Sequence, residues 1–439
     1  MSMKKRSQLW LIGGTCALLC AVVCLILLLP ARPATLEVGL FSGSNWDVSN
    51  PNSFNIIDAA IERFERQHPH VNVHYYGGIP KEDYSEWLAQ QYMIGHAPDV
   101  LFVLADDFEV LGTAGLLKRL DGLMQHDADF DVGRFYTTAL DAGEFEGQQY
   151  ALPYEVVPTL MFVNKTLLQN EHIPTPAADW TWDDLMAICR KVTRDIDGDG
   201  VIDQFGTFNY NWEHAMYSND GALFDLEGQH ATVSSSKVTE AVRFTRRLLE
   251  LNQGQKVTQE DFDIGRVAFM PMRFSDYRTY KMYPYKTIKY SDFQWDCITL
   301  PAGPEGGNVS QVSSLLMAIS AQTMQEELAW EFLKTMVYDE TIQFMLYQYS
   351  QGASVLRAVT SSHEAERMMQ ADSDESEYAI NSQLLNAVIE GGVNVPNFSK
   401  YSQAFSLLKG EIDSVIENQR EVESTFKILE HNLDRFLQQ

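Results

Sequence analysis

The alternation of strand and helix patterns between Leu36 and Val103 is the feature that most narrows what this chain can fold into. Leu36 to Phe41 reads as a short apolar strand, followed by a polar loop from Ser42 to Ser53. Ile57, Ile61 and Phe64 then recur at helical spacing, and Pro69, which cannot continue a helix, marks the end. Val71 to Tyr75 reads as a second strand, Tyr84 to Ile94 as a second helix and Asp99 to Val103 as a third strand. A β-α-β-α-β order covers a parallel sheet with helices, so it predicts a wound α/β lobe.

The middle of the chain repeats this logic. Leu160 to Val163 reads as a buried strand, and a helix opens at Thr181, where Thr181 and Asp184 have capping spacing and Leu185, Ile188 and Val192 form the apolar stripe. Trp295 to Leu300 is another strand, and Pro301, Gly303, Pro304, Gly306 and Gly307 make a breaker-rich connection suited to a crossing between lobes. One helical stretch follows with Leu328, Phe332 and Met336 in register. A terminal one carries Leu408, Ile412, Val415, Val422, Phe426, Leu429 and Leu433. About 400 residues of such pattern exceed one hydrophobic core, so two lobes are expected.

The N-terminus differs in kind. Lys4, Lys5 and Arg6 precede an uncharged run from Leu9 to Leu29 that is long enough to span a bilayer, which predicts export of everything after it. Residues 1–35 therefore read as a signal or membrane anchor. An uncleaved anchor is favoured because Arg32 occupies the position three residues before a cut at Thr35. Cys16, Cys20 and Cys24 follow Thr15, Leu19 and Val23, where a lipoprotein signal needs a small residue. The net charge is −27, and removing Lys4, Lys5, Arg6 and Arg32 leaves −31 on the exported part. So acidic a surface repels nucleic acid, which is excluded as a partner. Beyond the anchor only Cys189 and Cys297 remain, readable as one disulfide or as two buried thiols.

Several short motifs in order resemble family 1 extracellular solute-binding proteins, the group of maltose-type and oligosaccharide-type binding proteins of bacterial ABC importers. They are Phe64 to Pro69, Ala97-Pro98-Asp99-Val100, Tyr150 to Glu155 with Phe162-Val163-Asn164-Lys165, and Ile173-Pro174 with Thr181 to Leu185. Gly265 to Phe269 and Ala329 to Leu333 complete the set. The resemblance implies a type II periplasmic-binding-protein fold, two α/β lobes closing on a ligand in the cleft between them. It places the crossings near Tyr154, Pro301 and Gly352, giving a first lobe of residues 36–155 with 301–351 and a second of 156–300 with 352–439. It also implies a carbohydrate ligand, ABC permease subunits as partners, a monomer, and a place at the extracellular face of the membrane.

A sugar site needs aromatic plates and planar hydrogen-bonding groups at loops that follow strands. Trp46, beside Asn45 and Asp47, either lines the cleft or covers a lobe edge. Asp106 and Asp107 either meet ligand or cap the next helix, and Tyr154 and Glu155 stand at the first crossing. In the second lobe Asn209, Tyr210, Asn211 and Trp212 form a polar-aromatic cluster, with Trp212 the first choice for stacking. Arg273 and Phe274 follow a strand and open an aromatic segment of Tyr277, Tyr280, Tyr283, Tyr285, Tyr290, Phe293 and Trp295. Ser313, Ser314, Ser354 and Arg357 are expected at the rim.

Asp195, Asp197, Asp199, Gly200 and Asp203 carry the spacing of a calcium loop, but Gly206 stands where a bidentate Glu belongs, so calcium loop and acidic turn both remain readings. No cofactor is required. A glycosidase would need a carboxyl pair such as Asp106 and Glu155. His363-Glu364 does not complete H-E-x-x-H, and neither G-x-S-x-G nor a P-loop occurs, so no enzyme is expected.

Overall fold

A computed structural model describes residues 33–225, 228–280, 293–370, 380–396, 398 and 400–438. The expected anchor and the rings of Tyr280, Tyr283, Tyr285 and Tyr290 lie outside the described residues. Among the described residues no helix is long and apolar enough to cross a membrane.

The first lobe begins as its pattern predicts. Strands β1 (Ala34–Gly39), β2 (Val71–Tyr76) and β3 (Val100–Val103) are parallel, and helices Asn55–Gln67 and Lys81–Met93 connect them. Ile56, Ile57, Ala60 and Phe64 face the sheet, as their spacing requires. A small hairpin of β4 (Glu144–Phe145) and β5 (Gln148–Gln149) leads into β6 (Ala151–Asn164), the longest strand. The second lobe adds β7 (Phe205–Thr207), β8 (Val267–Arg273) and β9 (Trp295–Ile298), after which β10 (Val312–Ile319) and β11 (Ala353–Ser354) return to the first.

One strand serves both sheets. The first sheet runs β2-β1-β3-β10-β6, with β11 also on β6, and the second places β6 between β8 and β9, with β7 beyond β8. β6 pairs with β10 from Ala151 to Pro158 and with β8 from Thr159 to Val163. The ladder slips at Tyr154, where Leu315 faces Glu155 but the next residue, Leu316, faces Pro153. Tyr154 is thus the extra residue of a β-bulge, which bends and twists the strand. The crossing expected near Tyr154 falls at Pro158 and Thr159, where the partner of β6 changes from β10 to β8.

The other crossings also move. Residues 301–307 stay with the second lobe: Ala302 N–H donates to Trp180 O (2.9 Å), and Gly303 and Gly307 donate to Ser218 O (2.9 and 3.0 Å). The chain passes over at Ser310 to Val312. The described residues 353–370 and 380–390, expected in the second lobe, pack on the first. β11 pairs with Glu155 and Val156, Leu356 bridges to Phe135, and Tyr136 Oη donates to Asn386 (2.8 Å). Their apolar side chains Val359, Leu385, Val388 and Ile389 join the first lobe's core. The third pass comes at Val393, whose N–H donates to Ser310 O (3.0 Å) and whose carbonyl accepts from Val312 N (2.9 Å). Thr159 N–H donates to Gln311 O (3.1 Å), so the three passes lie side by side and form one hinge.

The terminal pattern is two helices, Tyr401–Glu417 and Val422–Leu437. Gln419 breaks it with a φ of 51°, and Glu421 caps the second helix by accepting from Glu423 and Ser424 N–H. Both helices pack on the second lobe with Thr181-capped Trp182–Val192 and with Ser236–Glu250. Cys189 and Cys297 are both buried, in separate apolar clusters.

The hinge depends on close packing at Gly392, where an added Cβ would lie 2.2 Å from Val312 Cγ2. Gly392→Ala is therefore expected to lower stability by about 1–3 kcal/mol, as overpacking does, measured by denaturant unfolding.

Candidate functional site

Two cavities lie on the seam between the lobes. The larger, about 700 Å³, opens at the carboxyl ends of β7 and β8, and its walls include Thr207, Asn209, Tyr210, Trp212, His214, Asn252, Gln255, Lys256, Arg273, Asp276, Asp413 and Glu417. The smaller, about 490 Å³, is walled by Asp106 and Phe108 of the first lobe, Ser313 and Ser314 of the hinge, and Asn394, Tyr401 and Ser402. The larger cavity is thus walled by the second lobe and by Thr159 of the hinge, and the smaller one by residues of both lobes.

In the larger cavity Asn209 is exposed and holds a φ of 58°, a left-handed conformation rare outside glycine and tolerated by Asn. The next helix, Trp212–Ser218, opens with a capping box: Asn211 Oδ1 accepts from His214 N (3.1 Å) and His214 Nδ1 accepts from Asn211 N (3.3 Å). Desolvation and then the charge of Lys409 push the His214 imidazole down to about 4, so it is neutral at pH 7. Arg273 forms a two-point ion pair with Asp276 (2.9 and 3.0 Å) and donates across the cleft to Trp46 O (3.0 Å). Ser402 Oγ donates to Asp106 Oδ1 (2.8 Å), a second contact between the lobes. Arg278, on helix Phe274–Tyr280, supplies a third by donating to Tyr347 O (2.5 Å) of the first lobe.

The expected residues divide accordingly. Tyr210 and Arg273 line the larger cavity, and Asp106 and Ser313 the smaller. Trp212 lines the larger one only as its floor: it is 1% exposed and its indole N–H donates to Asp413 Oδ1 (3.0 Å), so it is part of the second core and not a free stacking plate. Phe274 is fully buried and packs with Tyr277 and, through it, Trp295, so these described rings form core where a platform was expected. Asp107 turns away from the cavity to accept from Ser85 Oγ (2.6 Å), and burial raises its carboxyl. Tyr154 is buried against Phe102. Arg357 is held by Glu390, Gly133 O and Thr137 within the first lobe, far from any rim role. Ser354 is buried and donates to Gln343.

Glu155 is the largest departure. Its carboxylate is buried, accepts from Trp46 Nε1 (2.7 Å) and from Ser350 Oγ, and lines neither cavity. Gly352 covers it so closely that a Cβ there would lie 2.7 Å from Oε2. Trp46, 4% exposed, is correspondingly a hinge contact. Asp106 and Glu155 therefore do not share a cavity, as a glycosidase pair must. Asn252, Gln255, Lys256, Asp413 and Ser402 were not singled out from sequence, since each sits on a helix or loop whose approach to the cleft is tertiary.

In the Asp195 loop the carboxylates of Asp195, Asp197 and Asp199 approach within 4.8 Å of one another. Their oxygens already accept from the N–H groups of Gly198, Gly200, Asp199 and Val201, while Asp203 accepts from Ile196 N (2.8 Å). Backbone N–H groups, first that of Gly200, hold Asp195 below the usual carboxylate range. Gly206 packs on Cys189, with room for no side chain: a Cβ would lie 2.5 Å from Sγ.

Burial pushes Glu155 up from 4.5 to about 6, against the lowering effect of Ser350, Trp46 and the Gly352 N–H. Folding therefore takes up a proton between these values. The group favours the native state most below about 4.5, and on the order of 2 kcal/mol is lost as pH rises through about 6. Glu155→Gln is expected to flatten the dependence of melting temperature on pH across that window.

Comparison with known proteins gives a consistent result. A family model described as bacterial extracellular solute-binding protein matches residues 59–372. An uncharacterized lipoprotein in the oleD 5' region of Streptomyces antibioticus is 24% identical over 343 residues, 71% of this chain and 70% of its own. The galactooligosaccharide-binding protein of Bacillus subtilis (strain 168) is 31% identical over 130 residues, 29% of this chain and 28% of its own. The solved structure of the sugar-binding protein MalE from Xanthomonas citri covers 92% of this chain and 97% of its own at a TM-score of 0.75 and 14% identity, a likeness of fold.

Proposed function

We propose, from the premise that this chain belongs to the bacterial extracellular solute-binding proteins, that it captures an oligosaccharide between its lobes and delivers it to the membrane subunits of an ABC importer. The observation that carries this reading is the larger cavity. Amides from Asn209, Asn252 and Gln255, the charged groups of Lys256, Asp413 and Glu417, and the apolar surface of Phe208 and Met272 line a single volume of about 700 Å³. Such a lining suits a ligand with hydroxyls on its edges and C–H groups on its faces. The relatives named for galactooligosaccharide and sugar binding support the same ligand class.

Closure follows from the hinge. Three adjacent passes at Thr159, Gln311 and Val393 let the lobes rotate with little disturbance of either core. A ligand touching both lobes favours the closed form by its differential contacts. Micromolar binding requires about 8 kcal/mol, within reach of several shared hydroxyl hydrogen bonds and buried C–H surface after ordering costs. The protein acts as a monomer without chemical conversion or a cofactor, tethered at the extracellular face of the membrane by the Leu9 to Leu29 run.

Melting of the full chain in detergent against mono- and oligosaccharides, with peptides and polyamines as controls, tests the reading. An oligosaccharide is expected to raise the melting temperature. Asn209→Gly keeps the left-handed backbone while removing the amide, so it should weaken that ligand about tenfold by calorimetry and leave the unliganded melting temperature nearly unchanged. Response to peptides or polyamines alone would overturn the ligand class.

A further inference from the structure

We infer that the ligand is a linear oligosaccharide that bridges both cavities along one flank of helix Tyr401–Glu417, and that a single sugar ring is too short to draw the lobes together. The inference rests on the sugar-capture reading above and adds a ligand length to it. Tyr401, Ser402 and Gln403, at the start of this helix, wall the smaller cavity, and Asp413, Ile416 and Glu417, at its end, wall the larger. Ser402, Ser406, Lys409, Asp413 and Glu417 follow one another at steps of three or four residues, so they form one row that runs from cavity to cavity. At about 1.5 Å of rise per residue, the row from Ser402 to Asp413 is about 16 Å long. The buried Ala404, Leu408, Ile412 and Val415 hold the other side of the helix in the second core and so fix the row's direction.

Neither cavity alone meets the requirement for closure. The larger has no wall from the first lobe beyond the hinge, and Asp106, Phe108 and Glu109 of helix Ala105–Thr113 line only the smaller. A ligand biases the lobes only through contacts that differ between their arrangements. One ring in the larger cavity has nothing of the first lobe to hold. A chain that continues along the row reaches Asp106, which the Ser402 hydroxyl already meets at 2.8 Å. The row suits an uncharged chain of hydroxyls. Ser402 and Ser406 are exposed, Lys409 pairs with Glu213 and stands 5.7 Å from the centroid of the Trp212 ring, and Asp413 accepts from the Trp212 indole N–H.

The test titrates the full chain in detergent with linear gluco-oligosaccharides and linear galacto-oligosaccharides, each from the mono- to the hexasaccharide, by calorimetry. In a series that binds, affinity is expected to rise at least tenfold from the mono- to the tetrasaccharide. Ser406→Phe, which raises a ring in the middle of the row, should bring the longer ligands down to the monosaccharide's affinity without changing the unliganded melting temperature. Leu407→Phe, exposed on the opposite flank, should keep the gain. With Cys16, Cys20 and Cys24 replaced by Ser, spin labels at Met324→Cys and Ile428→Cys, one exposed on each lobe, should change separation with the tetrasaccharide and not with the monosaccharide. Affinity that is flat along a binding series, or a gain that survives Ser406→Phe, would overturn the bridging ligand and keep the sugar reading. Absence of binding throughout both series would overturn both.

Discussion

Everything in this structure depends on β6 being one strand in two sheets. Its residues are buried along almost the whole length, so each N–H and carbonyl must find a partner wherever the chain runs. The ladder to β10 serves the first lobe and the ladders to β8 and β9 serve the second. Pro158 marks the handover, and the bulge at Tyr154 supplies the bend that lets the two sheets diverge. Because the other two passes hydrogen-bond beside this point, the chain crosses between the lobes at one hinge, and the Arg273–Trp46, Arg278–Tyr347 and Ser402–Asp106 contacts join the lobes on either side of it.

A buried carboxyl group fastens the cleft-facing loops of the first lobe. Glu155 ties the loop after β1, through Trp46, to the loop before β11, through Ser350. Burying an acid is unfavourable for stability, and the Ser350, Trp46 and Gly352 donors offset only part of that cost. The gain is position: Trp46, fixed by Glu155, presents its carbonyl to Arg273 of the other lobe. A group that reads in the sequence as a ligand contact therefore acts on the geometry of the cleft and not on what fills it.

Polar character in the larger cavity comes from amides together with the charged groups of Lys256, Arg273, Asp276, Asp413 and Glu417. His214 is neutral at pH 7, Arg273 is satisfied by Asp276, and Lys409 by Glu213. The strong acidity of the chain is spread over its surface and keeps it soluble without defining the site.

The sequence by itself determined the α/β class, the order of the first lobe's elements, the capped helix after Thr181 and the family, because periodicity and caps are local physics. Of the residues it singled out, Tyr210 and Arg273 line the larger cavity and Asp106 and Ser313 the smaller. Tertiary structure decided the rest. Trp212, Phe274 and Tyr154 are aromatic whether they face a ligand or a core, and only packing chose the core. The return of β11 to the first lobe depends on pairing with β6, some two hundred residues away. Hydrogen bonds and burial between distant segments leave no period in a sequence, so the hinge and the cleft were settled only when the chain had folded.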